Sequence, residues 1–98
     1  MNEEKKLPQI DIEEIAKKGE EIYEKKFRKH YEPSHNGKFL AIEVDSEEGF
    51  LGNTSIEATE EAKKKYPQKF FYIKKIGFSA AEVISSHSSP LHSYGRLF

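Results

Sequence analysis

The sequence contains no cysteine. That removes disulfides, thiol nucleophiles and thiolate metal sites together. No apolar run approaches the ~20 residues of a membrane-spanning helix. The opening segment, Met1-Asn2-Glu3-Glu4-Lys5-Lys6, lacks the apolar stretch of a signal peptide, so a cytoplasmic protein is expected. An excess of one charge is also missing. Charged residues make up 34% of the chain, yet the net charge is −1, far from the positive balance of a general nucleic-acid binder. A length of 98 residues suits one domain with one modest core, which leaves little room for a deep cleft.

What is present centres on residues 37–78. Lys38 to Val44 reads as a strand, with Leu40, Ile42 and Val44 on one face and Phe39 and Ala41 on the other. Asp45-Ser46-Glu47-Glu48-Gly49 is a polar turn, and Phe50-Leu51 pairs back on that strand. Thr54 with Glu57 three residues later forms a capping-box pattern, opening a second helix that Pro67 stops. Its Ala58, Ala62 and Tyr66 form a stripe of mostly small residues that lets it lie close to a sheet. Lys69 to Ile76 is another long strand, with Phe70, Tyr72 and Ile76 opposing Phe71 and Ile73. Strands apolar on both faces are covered on both, or covered on one and used for contact on the other.

Ahead of this unit, Asp11 and Glu14 are a capping pair. Ile12, Ile15, Ala16, Gly19, Ile22, Tyr23 and Phe27 then recur at helical spacing. A long helix is expected to end near Tyr31, before the turn-rich Glu32-Pro33-Ser34-His35-Asn36-Gly37. Gly19 costs about 1 kcal/mol against alanine inside a helix, which points to close packing there. The helix either covers the remaining sheet face or extends outward, where it would form a homo-oligomer. The expected fold is α+β: a long N-terminal helix, then a β-β-α-β unit whose small antiparallel sheet has three strands in the order 2-1-3. Residues 1–10 read as a flexible N-terminus and 11–84 as the single domain. Residues 79–84 would add a short fourth strand or a helical turn, and 85–98 read as a flexible Ser/His-rich tail.

Two resemblances emerge. The strand–turn–strand followed by Gly52-Asn53-Thr54, Glu57-Ala58 and Ala62 resembles the core of HicB-type antitoxins over roughly residues 37–66. A more extensive likeness is to an uncharacterised family of small bacterial proteins, common in cyanobacteria. It rests on Tyr23-Glu24, Glu32-Pro33-Ser34-His35-Asn36-Gly37-Lys38, Asp45, Gly52-Asn53-Thr54, Ala58, Ala62, Tyr66-Pro67 and Ile76-Gly77-Phe78. That family's members often look like the small partner of a two-gene pair, sometimes beside a retropepsin-like protease. The resemblance therefore implies binding to a cognate protein encoded nearby and supplies no catalytic residues.

Candidate chemistry can be set against plainer explanations. His30, His35, His87 and His92 lack the spacing of metal ligands and read as solvated loop histidines. Asp45, Glu47 and Glu48 could hold a cation, but a charged hairpin turn explains them. Ser86, His87 and Asp45 could be combined as a triad on paper, without the nucleophile elbow such chemistry uses. Lys63-Lys64-Lys65, Lys69, Lys74 and Lys75 beside Phe70, Phe71 and Tyr72 could bind RNA. Glu57, Glu60 and Glu61 on the same helix blunt that basic field. The reading is a non-catalytic protein-interaction module, an adaptor or antitoxin-like partner, with no cofactor, metal or membrane. A small nucleic-acid-binding regulator is the alternative. The expected contact residues are Phe71, Ile73, Phe78, Tyr94, Arg96, Leu97 and Phe98.

Overall fold

A computed structural model describes residues 11–85. Helix α1 (Ile12–Ile22) opens at Asp11, whose side chain accepts a hydrogen bond from the Glu14 N–H (3.2 Å). It runs into a π-helical segment (Tyr23–Phe27) and a last turn, α2 (Arg28–Tyr31). The sequence predicts a plain α-helix here, and the π segment has a geometric reason. Gly19, Tyr23, Phe27 and Tyr31 are spaced by four, which on an α-helix drifts by ~40° per step. The wider π turn absorbs that drift. It keeps Phe27 and Tyr31 on the core side while Lys26 and His30 stay exposed.

Four strands follow: β1 (Phe39–Glu43), β2 (Glu48–Gly52), β3 (Phe70–Lys75) and β4 (Ala81–Ser85), with α3 (Ser55–Lys65) between β2 and β3. The sheet is antiparallel throughout, in the order β2-β1-β3-β4. The expected 2-1-3 arrangement is present, and the three-stranded expectation is corrected by one strand. The Lys75 N–H donates to the Ala80 carbonyl (3.0 Å) and closes a β3–β4 hairpin. β4 thereby pairs the side of β3 that would otherwise be an open edge.

Side-chain alternation sorts two cores. On one face Leu40, Ile42, Tyr72 and Ile76 pack with Ile22 and Tyr23. On the other, Ala41, Phe71 and Ile73 pack under Ala58 and Ala62 of α3. The first helix therefore covers the sheet face that α3 leaves and does not extend outward from the domain. Burying a large aliphatic or aromatic side chain contributes ~1.5–3 kcal/mol, so these two layers dominate the fold. The second is thin because its helix presents alanines. A β-carbon at Gly52 would run into the backbone nitrogen of Ala58 and meet its Cα at 2.9 Å, so strand and helix approach closely there.

Thr54 caps α3 by accepting from the Glu57 N–H (3.1 Å), and Glu57 accepts from the Asn53 N–H (2.9 Å). At the β1–β2 turn the buried Glu43 carboxylate accepts from the N–H groups of Asp45 (3.1 Å) and Ser46 (2.9 Å). Glu47 takes the left-handed conformation (φ 64°) that the turn requires.

Candidate functional site

The β3–β4 hairpin carries Phe78 at its tip, 51% exposed. The turn beneath it is tied down from several directions. The Phe78 N–H donates to the Lys75 carbonyl (3.0 Å). The Gly37 N–H donates to the Ile76 carbonyl (2.9 Å), and the Ile76 N–H donates to the Lys38 carbonyl (2.8 Å). Gly77 has φ 86°, which favours glycine, and the Asn36 side chain occupies the space where a β-carbon would go. The Gly77 backbone also lies beside the Tyr23 phenol oxygen. Tyr23 donates its own proton to Glu32 (2.6 Å). One buried phenol thus bridges the first helix, the 32–38 turn and the hairpin tip.

Around Phe78 the chemistry is cationic and aromatic. Lys75 Nζ lies 4.6 Å from the Phe78 ring centroid and 5.9 Å from that of Phe39. Lys38 donates to Asn53 Oδ1 (2.6 Å). Among the described residues neither lysine is paired with a carboxylate. Phe39, Lys75 and Phe78 therefore form a small, rigidly mounted patch. A cation over an aromatic face is attracted by about 0.5–1 kcal/mol at exposed sites, which helps hold the exposed ring in place.

Two phenols on the first-helix side of the sheet are strongly perturbed. Burial, followed by the hydrogen bond to Glu32, pushes the Tyr23 phenol well above its ordinary value. Tyr72 is raised in the same direction by burial and by its hydrogen bond to Glu20. Both phenols are thereby held protonated as donors. Lys74 is buried beside them, 3.6 Å from Glu20 and 5.2 Å from the Tyr23 ring centroid. This network neutralises a buried charge and orients the first helix.

The remaining sequence candidates separate. Phe71 and Ile73 are 0% and 1% exposed, inside the α3 core, so neither presents surface to a partner. That corrects their assignment as contact residues: α3 covers the second apolar face of β3. Phe78 is the expected contact residue that reaches the surface. Tyr94, Arg96, Leu97 and Phe98 lie outside the described residues, as do Ser86, His87 and His92. His30 and His35 stand edge-on to Tyr31, at 4.9 and 5.1 Å between centroids. Asp45 pairs with Lys69 (2.8 Å), Glu47 with Lys26 (3.5 Å) and Glu48 with Lys65 (2.9 Å), so these carboxylates point to separate cations. Among the described residues no group of three or more His, Asp or Glu converges on a metal position. No described helix is long and apolar enough to cross a membrane.

Sequence reasoning picked Phe78 but missed its setting: Phe39, Lys75, Asn36 and Tyr23. The available signal was a concentration of aromatic and turn-forming residues in three segments: Tyr23, the 32–38 turn and Ile76-Gly77-Phe78. The fold brings those three segments to one place. No family model, curated protein or solved structure matches the chain.

Proposed function

We propose that the chain is a small protein-interaction module, an adaptor or antitoxin-like partner that docks one cognate protein through the Phe78 hairpin tip. The observation that carries this is a half-exposed aromatic on a turn whose backbone and flanks are fixed by Tyr23, Asn36, Gly37 and Lys38. Aromatic anchors dominate interface energetics, and one that is already ordered loses little entropy on binding. The tail residues Tyr94, Arg96, Leu97 and Phe98 belong to the same proposal by residue type. Aromatics and arginine are enriched at interface hot spots.

The test is recovery of the tagged chain from its native host, with and without Phe78→Ala. The reading expects one stoichiometric protein, lost in the variant while the melting temperature stays unchanged. Retention of that protein by Phe78→Ala would refute it. A second reading has its own observation: Lys38 and Lys75 beside Phe39 and Phe78 make a basic, aromatic surface of the kind that stacks single-stranded bases. Recovered material that is sensitive to nuclease and to salt would favour that regulator role.

A further inference from the structure

A second surface lies along the β2 edge of the sheet. The Lys38 carbonyl accepts from Ile76, so it faces β3. Antiparallel alternation then turns the backbone groups of Leu40 and Ile42 toward β3, and those of Phe39, Ala41 and Glu43 toward β2. Within β2, Glu48, Phe50 and Gly52 therefore face β1. Gly49 and Leu51 direct their N–H and C=O groups outward from the sheet.

Beside this edge runs an open groove of about 540 Å³, between β2 and the outer flank of α3. Phe50 and Ile56 supply its apolar side chains, the backbone of Gly49 and Leu51 borders it on the strand side, and Glu57, Glu60 and Glu61 supply its carboxylates. Ile56 is 59% exposed on a helix whose sheet-facing positions are alanines, so it contributes little to the core. α3 begins beside Gly52 and ends beside Glu48, where Tyr66 and Lys65 reach the Glu48 carboxylate. The glutamates are thus spread along the strand.

The geometry points to strand addition: the β2 edge binds an extended segment of another protein with an apolar residue flanked two positions away on each side by lysine or arginine. Backbone groups of the added strand would pair with Gly49 and Leu51. With a period of two, its α3-facing side chains would place the apolar residue over Phe50 and Ile56, and the flanking cations against the glutamates. The alternative occupant, a second copy pairing through the same edge, would bring two sets of Glu57, Glu60 and Glu61 together. Like charges brought together oppose that arrangement. The exposed pairs Glu60–Lys63 (3.9 Å) and Glu61–Lys64 (3.0 Å) are weak competitors for an incoming cation. This extends the interaction reading to the β2 edge and is tested apart from Phe78.

The probe is a fluorescein-labelled peptide, Thr-Lys-Thr-Val-Thr-Lys-Thr, titrated into the intact chain at low salt, beside a control with glutamate for lysine. The basic peptide should bind and the acidic one should not. Glu60→Lys with Glu61→Lys should weaken the basic peptide about tenfold or more and gain the acidic one. Amide resonances of Gly49 and Leu51 should move on binding, and the spectrum of each variant verifies its fold. Phe78→Ala should leave this affinity unchanged. Equal binding of the two peptides would overturn the inference. So would no binding at all, unchanged affinity in the charge-reversed variant, or shifts confined to the β4 edge at Ala81 and Val83.

Discussion

Gly19 of α1 rests directly on the side chain of Tyr72 in β3, and a β-carbon at this glycine would fall inside the van der Waals shell of the tyrosine's Cβ and Cγ. The contact sets how closely the helix approaches the sheet. It also leaves the Tyr72 hydroxyl within reach of Glu20, one residue along. Gly19→Ala should therefore destabilise the fold by about 1–3 kcal/mol through overpacking, despite a helix-propensity gain of about 1 kcal/mol. A denaturant midpoint equal to or above that of the parent would show that the helix can lift away without cost.

Ile22 is buried between Leu40, Ile42 and Tyr72, whereas Ile15 is half-buried. Ile22→Asp should cost several kcal/mol by leaving a charge in an apolar layer, and Ile15→Asp distinctly less. Equal melting temperatures for the two variants would contradict this packing.

At α3, removal of the Thr54 hydroxyl leaves the Glu57 N–H without its cap. Thr54→Ala should cost roughly 0.5–2 kcal/mol in chemical denaturation. No change would mean that the Asn53–Glu57 bond alone secures the helix start.

Acid should weaken the molecule through a few identifiable carboxylates. The hydrogen bond from Tyr72, with Lys74 nearby, holds Glu20 below its ordinary value of 4.5. Tyr66 and Lys65 depress Glu48, and Lys69 depresses Asp45. For a depressed acid, stabilisation is fully present above the unfolded value and is lost as pH falls through the folded one. Stability should therefore drop below about pH 4.5. Glu20→Gln should flatten part of that drop in urea midpoints measured across the range. An unaltered acid limb in that variant would remove Glu20 from the explanation.

Gly77→Ala probes the clamp under Phe78. Its left-handed φ and the Asn36 side chain oppose a β-carbon, so the variant should lose about 1–3 kcal/mol. It should also reduce partner binding in the same direction as Phe78→Ala. Full binding by Gly77→Ala would show that the ring needs no fixed mount.

Much of the architecture is legible in the chain because local chemistry and alternation agree. The Asp11 and Thr54 caps, the apolar faces of β1 and β3, and the tight fit at Gly19 are each encoded within a few residues. Two features escape that reading. β4 reads ambiguously because Ala81 and Glu82 are exposed and carry no core pattern. The π segment is set by the sheet beneath it, since spacing by four also fits an ordinary helix. Phe71 and Ile73 read as contact residues for a related reason: a strand apolar on both faces does not say whether a helix or a partner covers the second. The setting of Phe78 joins residues more than fifty positions apart, Tyr23 to Gly77, which only the folded chain brings together.

β1 and β3 are flanked by a strand on each side and covered by helix on both faces. Hydrogen–deuterium exchange should consequently be slowest at Leu40, Ile42, Tyr72 and Lys74, whose amides lie between β1 and β3 and are released only by global opening. The outward amides of Gly49 and Leu51 report on a different event, because they exchange without any unfolding. A bound strand would slow them while leaving the centre of the sheet untouched, so one exchange map separates occupancy of the edge from stability of the fold.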